Sequence, residues 1–186
     1  MHAELTPVVA ATAQWMTRAF PAGGGALAAA LCEAQARQAV TIAAMLRYPT
    51  PMDAALLALA GPGGTARLDW VTGADGPAGD TDHEPDRGRG PARDDHAWRT
   101  WVDEVVASWA ACLLGDAGLA ALAVTALAEG GRPDGAPAGF RRLLAPDDGD
   151  RRAAALLRHP DLLAPVADLH RAPLLERLKP GSALIA

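Results

Sequence analysis

Residues 94–129 read DDHAWRTWVDEVVASWAACLLGDAGLAALAVTALAE, and this stretch decides the fold class. Trp98, Trp101, Val102, Val105 and Trp109 recur at steps of three and four, the period of a helix with one dry face. The run stays apolar through Leu113 and Leu114 and pauses at Gly115, Asp116, Ala117 and Gly118. It resumes with Leu119, Leu122, Val124 and Leu127. The spacing predicts two helices folded back on each other, with three of the five tryptophans on the first. The remaining helices are expected to pack around this Trp-rich hairpin. The fold class is therefore all-α, a multi-helix bundle.

Punctuation in the flanking sequence supports the same class. Thr6 and Pro7 look like a cap and a first-turn proline, opening a helix to about Phe20, with Val9, Ala13, Met16 and Phe20 on one face. Pro21 and the glycines at 23–25 end it. A longer helix runs from Ala26 to Arg47, with Ala28, Ala36, Ala39 and Ala43 as a stripe that admits a close neighbour. Thr50, Pro51 and Asp53 form a second cap signal, for a short helix with Met52, Leu56 and Leu59 on one side. Short helical pieces follow at residues 140–145, 150–159, 161–171 and 173–178, set off by Pro146, Pro160, Pro173 and Pro180.

These signals divide the chain into an N-terminal helical part (1–61), a flexible Gly/Pro/Asp-rich loop (62–93) and a C-terminal helical part (94–186), together forming one compact domain. Within the loop, residues 67–71 are read as a short extended piece with Trp70 tucked against a helix. The text around Ala43–Pro49 resembles that around Ala154–Pro160, which suggests two similar helical halves.

Composition narrows the functional classes. The 186 residues suffice for one real core. Of 17 basic residues only Lys179 is a lysine, and asparagine is absent, a bias that points to a G+C-rich bacterial genome. Arginine abundance is then weak evidence for nucleic-acid binding, and a net charge of −5 opposes it. Cys32 and Cys112 both fall in helices and read as two buried small hydrophobes, not a disulfide. No Lys or Arg precedes the apolar run at 7–13, so no secretory signal is expected. Asp116 and two glycines interrupt residues 105–128, so no membrane span is expected either. The expected location is the cytoplasm.

Candidate chemistry is sparse. Asp80, Asp82, His83, Glu84, Asp86, Asp94, Asp95 and His96 match no metal-ligand spacing and read as a solvated loop with a helix cap. Asp147, Asp148, Gly149 and Asp150 lack the order of a calcium loop and read as a cap before Arg151 and Arg152. Arg151, Arg152, Arg158 and His159 are a candidate anion site, weakened by six acids in the same region. Trp15, Trp98, Trp101 and Trp109 are candidates for a ligand pocket or partner surface, although an aromatic stripe at helical spacing is more often core. No nucleophile elbow, phosphate loop or activated thiol is present, and no cofactor or metal is expected. The leading expectation is a non-enzymatic protein–protein interaction or assembly module, working with a protein partner or with itself. The alternative is a small-molecule-binding or catalytic helical domain with a pocket near the tryptophans. Nucleic-acid binding through the C-terminal arginines ranks below both.

Overall fold

The computed structural model describes residues 3–74, 94–130 and 137–179. Among these, every regular element is a helix and there is no strand. The α-helices are α1 (Thr6–Ala19), α2 (Ala26–Arg47), α3 (Pro51–Ala60), α4 (Ala66–Val71), α5 (Glu104–Gly115), α6 (Ala117–Glu129), α7 (Arg141–Leu144), α8 (Asp148–Ala153), α9 (Pro160–Ala167) and α10 (Arg171–Arg177). Tighter 3-10 turns lie at Ala3–Leu5, Asp94–Trp101 and Pro137–Phe140.

The centre is α2, not the Trp-rich hairpin. It packs against α1, α5, α6, α7 and α8. Residues 39–46 are all buried, and only at Arg37 and Arg47 on either side of them does this half of the helix reach water freely. Ala36, Ala39, Ala43 and Ala44 make this possible, because a methyl side chain lets helix axes approach from several directions. Next to it, α5 is buried from Val106 to Leu114 and carries α9 on its far side. Cys32 and Cys112 are free thiols within this core.

The tryptophan stretch divides differently from its periodicity. Trp98 and Trp101 belong to the 3-10 turn Asp94–Trp101, which packs on α1, while Trp109 lies on α5. Asp103 causes the break. Its carboxylate accepts from Val106 N at 3.0 Å as the N-cap of α5 and also accepts the Tyr48 hydroxyl, while its own N–H donates to Thr12 Oγ1 at 3.4 Å. Those tertiary bonds hold residues 102–103 out of a continuous helix. At Asp116, which caps α6 through Leu119 N at 3.0 Å, the chain bends by 120°, so α5 and α6 are splayed.

Caps account for several other boundaries. Thr50 and Asp53 form a reciprocal capping box at α3, and Asp147 and Asp150 form another at α8. Thr6 makes no side-chain cap; it is the first residue of α1. Gly61 ends α3 with φ of 74°, a left-handed conformation that favours glycine, and its N–H donates to Leu57 O at 2.8 Å. Residues 67–71 are helical, not extended, with Leu68 and Asp69 inward and Trp70 outward. The two similar sequence stretches take different conformations: Ala43–Arg47 closes a 22-residue helix, while residues 154–158 are a turn after a six-residue one. No single described helix is long and apolar enough to cross a membrane.

Candidate functional site

The most unusual surface belongs to α3. Its sequence, PMDAALLALA, is apolar apart from Asp53 in the first turn. Two stripes compete for the core: Met52, Leu56 and Leu59 on one face, Ala54 and Leu57 on the other. The smaller stripe wins, because α3 packs on the narrow 3-10 turn at Ala3–Leu5 and buries only Ala54 and Leu57. Met52, Leu56 and Leu59 are left 68%, 55% and 86% exposed. Five residues after Thr65, Trp70 on α4 is 74% exposed. Aliphatic side chains in a row on one helix face are uncommon on a surface with no partner. The periodicity of Met52, Leu56 and Leu59 was legible, but it reads as a core face.

The tryptophans named from sequence lie in three settings. Trp15 is core, and its indole N–H donates to Asp69 Oδ1 at 2.9 Å. Asp69 is itself buried and takes Arg99 on its other oxygen at 3.1 Å. Trp109 is also core and donates to His170 O at 3.0 Å. Trp98 is half-buried, with the guanidiniums of Arg18 and Arg99 at 4.8 and 5.6 Å from its ring centre, within cation–π range. Trp101 packs part-buried on the core.

The candidate anion residues do not converge. Each nitrogen of Arg158 already serves the protein: Nε donates to Gln35 Oε1 at 2.6 Å, one terminal nitrogen to Leu114 O at 3.1 Å, the other to Arg142 O at 3.0 Å. Burial lowers its pKa, with the Asp150 carboxylate opposing that shift. Asp150, fully buried, holds the Arg142 guanidinium. Arg151, Arg152 and His159 are exposed, and Arg151 lies 4.0 Å from Asp148. The Asp147 carboxyl sits below its usual range because it accepts from the Asp150 backbone.

Other polar groups are likewise engaged. Ser108, fully buried, donates to Ala167 O at 2.9 Å and accepts from His170 N at 3.0 Å. The His170 ring nitrogen Nε2 bonds Glu104 Oε1 at 2.7 Å, and that oxygen also receives Arg67 at 3.3 Å. The bond between Ser108 and His170 is thus made by the histidine's backbone and not by its imidazole, so it is not a nucleophile–base pair. Among the described residues no three His, Cys, Asp or Glu groups converge to hold a metal. The acidic and histidine residues at 80–86, and the side chains of 94–96, lie outside the described residues.

Two of the open grooves among the described residues are lined without a tryptophan. One, about 420 Å³, runs along α2 over Ala34, Met45 and Phe140. Its polar members are engaged: Gln38 with Gly139 O and Leu143 N, Arg37 with Glu33, and the Thr41 hydroxyl with Arg37 O. The other, about 410 Å³, lies between the end of α5 and α9 and includes Cys112, Asp116, Asp168 and Arg171. Burial pushes the Cys112 thiol up to about 11, so it is a poor nucleophile at neutral pH.

No known protein family, no curated protein and no solved structure matches this chain.

Proposed function

We propose that this chain is a non-enzymatic helical interaction and assembly module that docks a protein partner through the outer face of α3. The exposure of Met52, Leu56 and Leu59 on one helix carries the reading. Fully burying each such side chain in a partner is worth about 1.5–3 kcal/mol. The engagement of Ser108, His170, Asp69, Asp103 and Asp150 with protein groups supports a scaffold role over catalysis. A bacterial origin and a cytoplasmic place of action belong to the same proposal.

The test is the double substitution Leu56→Glu with Leu59→Glu. Both side chains are solvent-facing, so the far-ultraviolet circular dichroism is expected to stay unchanged. Association, followed by sedimentation and by retention of proteins from a bacterial extract, is expected to fall. A wild-type chain that is strictly monomeric, and that retains the same proteins as the double variant, would refute the reading.

A further inference from the structure

The groove between the end of α5 and α9 carries charges of both signs, and among the described residues neither sign is paired. Asp168 closes α9 and Arg171 opens α10. On one continuous helix, residues three apart are neighbours and such a pair can meet. Here the turn between two helices keeps them from pairing. Both act on the buried Cys112 sulfur, Arg171 favouring its thiolate and Asp168 opposing it, so both charges lie close to the same part of the groove. Asp116 adds a second carboxylate, one oxygen of which caps α6. The turn is fixed by side chains of α5. Ser108 Oγ donates to Ala167 O at 2.9 Å and accepts from His170 N at 3.0 Å, Cys112 Sγ donates to Ala167 O at 3.5 Å, and Trp109 Nε1 donates to His170 O at 3.0 Å. The backbone is thus held just before Asp168 and just before Arg171. Two opposite charges fixed in place without neutralising each other are what a preformed site for a ligand bearing both charges needs.

We infer that this groove binds a small zwitterion, an α-amino acid with an apolar side chain. Its carboxylate pairs with the Arg171 guanidinium, its ammonium with Asp168 and Asp116, and its side chain lies on Leu163 and Ala164. A plain anion would face two carboxylates, and a plain cation would leave Arg171 without a partner. A metal ion is disfavoured because no three acidic, thiol or imidazole groups converge among the described residues. The volume, about 410 Å³, falls within the range of small-molecule pockets. The groove shares no residue with the α3 face, so either assignment can fail without the other.

Titration of the full chain with leucine, leucinamide and isocaproate, followed by amide NMR shifts, tests this at about pH 6, where the amine of leucinamide is protonated. Leucine is expected to shift the signals of Gly115, Ala117 and Ala164 saturably, with a Kd on the order of 1 mM. Leucinamide lacks the carboxylate and isocaproate lacks the ammonium, and each is expected to bind at least about tenfold more weakly. Arg171→Met is expected to close most of the gap between leucine and leucinamide. Asp168→Asn is expected to do the same for leucine and isocaproate. Both positions are exposed, so the circular dichroism of each variant is expected to match wild type. A purely structural effect would instead weaken all three ligands together and leave the gaps as they were. No saturable shift with leucine up to about 50 mM, either half-ligand binding as tightly as leucine, or unchanged discrimination in either variant overturns the inference.

Discussion

Replacing Arg158 with methionine separates a structural arginine from an anion-binding one. The guanidinium donates to Leu114 O in the last turn of α5 and to Arg142 O in the single turn of α7. Carbonyls in a last turn have no intrahelical partner. It also donates to Gln35 Oε1 from the buried centre of α2. One side chain thus completes the hydrogen bonding of three elements. A bond to a charged group is worth about 1.5–3 kcal/mol, and an acceptor left buried and unpaired costs about 1–3 kcal/mol. The three do not add fully, and removing a partly desolvated cation returns part of the loss. We expect Arg158→Met to destabilise the fold by about 3–5 kcal/mol. Arg151→Met and Arg152→Met, at exposed positions, are expected to stay within about 0.5 kcal/mol of wild type. Urea unfolding followed by circular dichroism measures all three, with the slope checked for constancy so that a midpoint shift reports stability. Arg158→Met within about 1 kcal/mol of wild type would refute the assignment.

Three further predictions rest on single side chains. Asp103→Ala removes the cap of α5 and the acceptor of the Tyr48 hydroxyl together, and should cost about 2–4 kcal/mol in the same unfolding assay. Cys112, at about 11 against an ordinary 9.0, should resist iodoacetamide in the native chain at pH 8 and react once the chain is unfolded. Because the folded state holds this proton more tightly, its contribution to stability is present below pH 9 and is lost as pH rises toward 11. The Tyr48 hydroxyl is shifted upward by burial and by Asp103, so it acts in the same direction. A melting temperature that rises across that interval would contradict both assignments.

Much of the fold was legible because short-range chemistry writes it. The ends of α2 and α3 follow from Pro, Gly and the Thr50–Asp53 box, and the cap at Asp147 from its distance to Asp150. The helical class follows from alanine content and from apolar spacing. The candidate surface was only half legible. The sequence contains the row Met52, Leu56 and Leu59, but it does not say which way the row points.

Orientation and partnership are set by contacts distant along the chain. Asp103 is an ordinary acid in the sequence; Thr12 and Tyr48, 91 and 55 residues away, make it the point where the tryptophan stretch breaks. Arg158 looks like surface charge until Gln35, 123 residues away, and the ends of α5 and α7 close around it. The local text determined that this chain is helical and where many helices start and stop, since propensity, capping and turn chemistry act over a few residues. Which helix is central, which arginine is structural and which apolar stripe meets water were decided by tertiary packing. Burial is a property of the whole assembled chain, and a neighbour distant in sequence decides it.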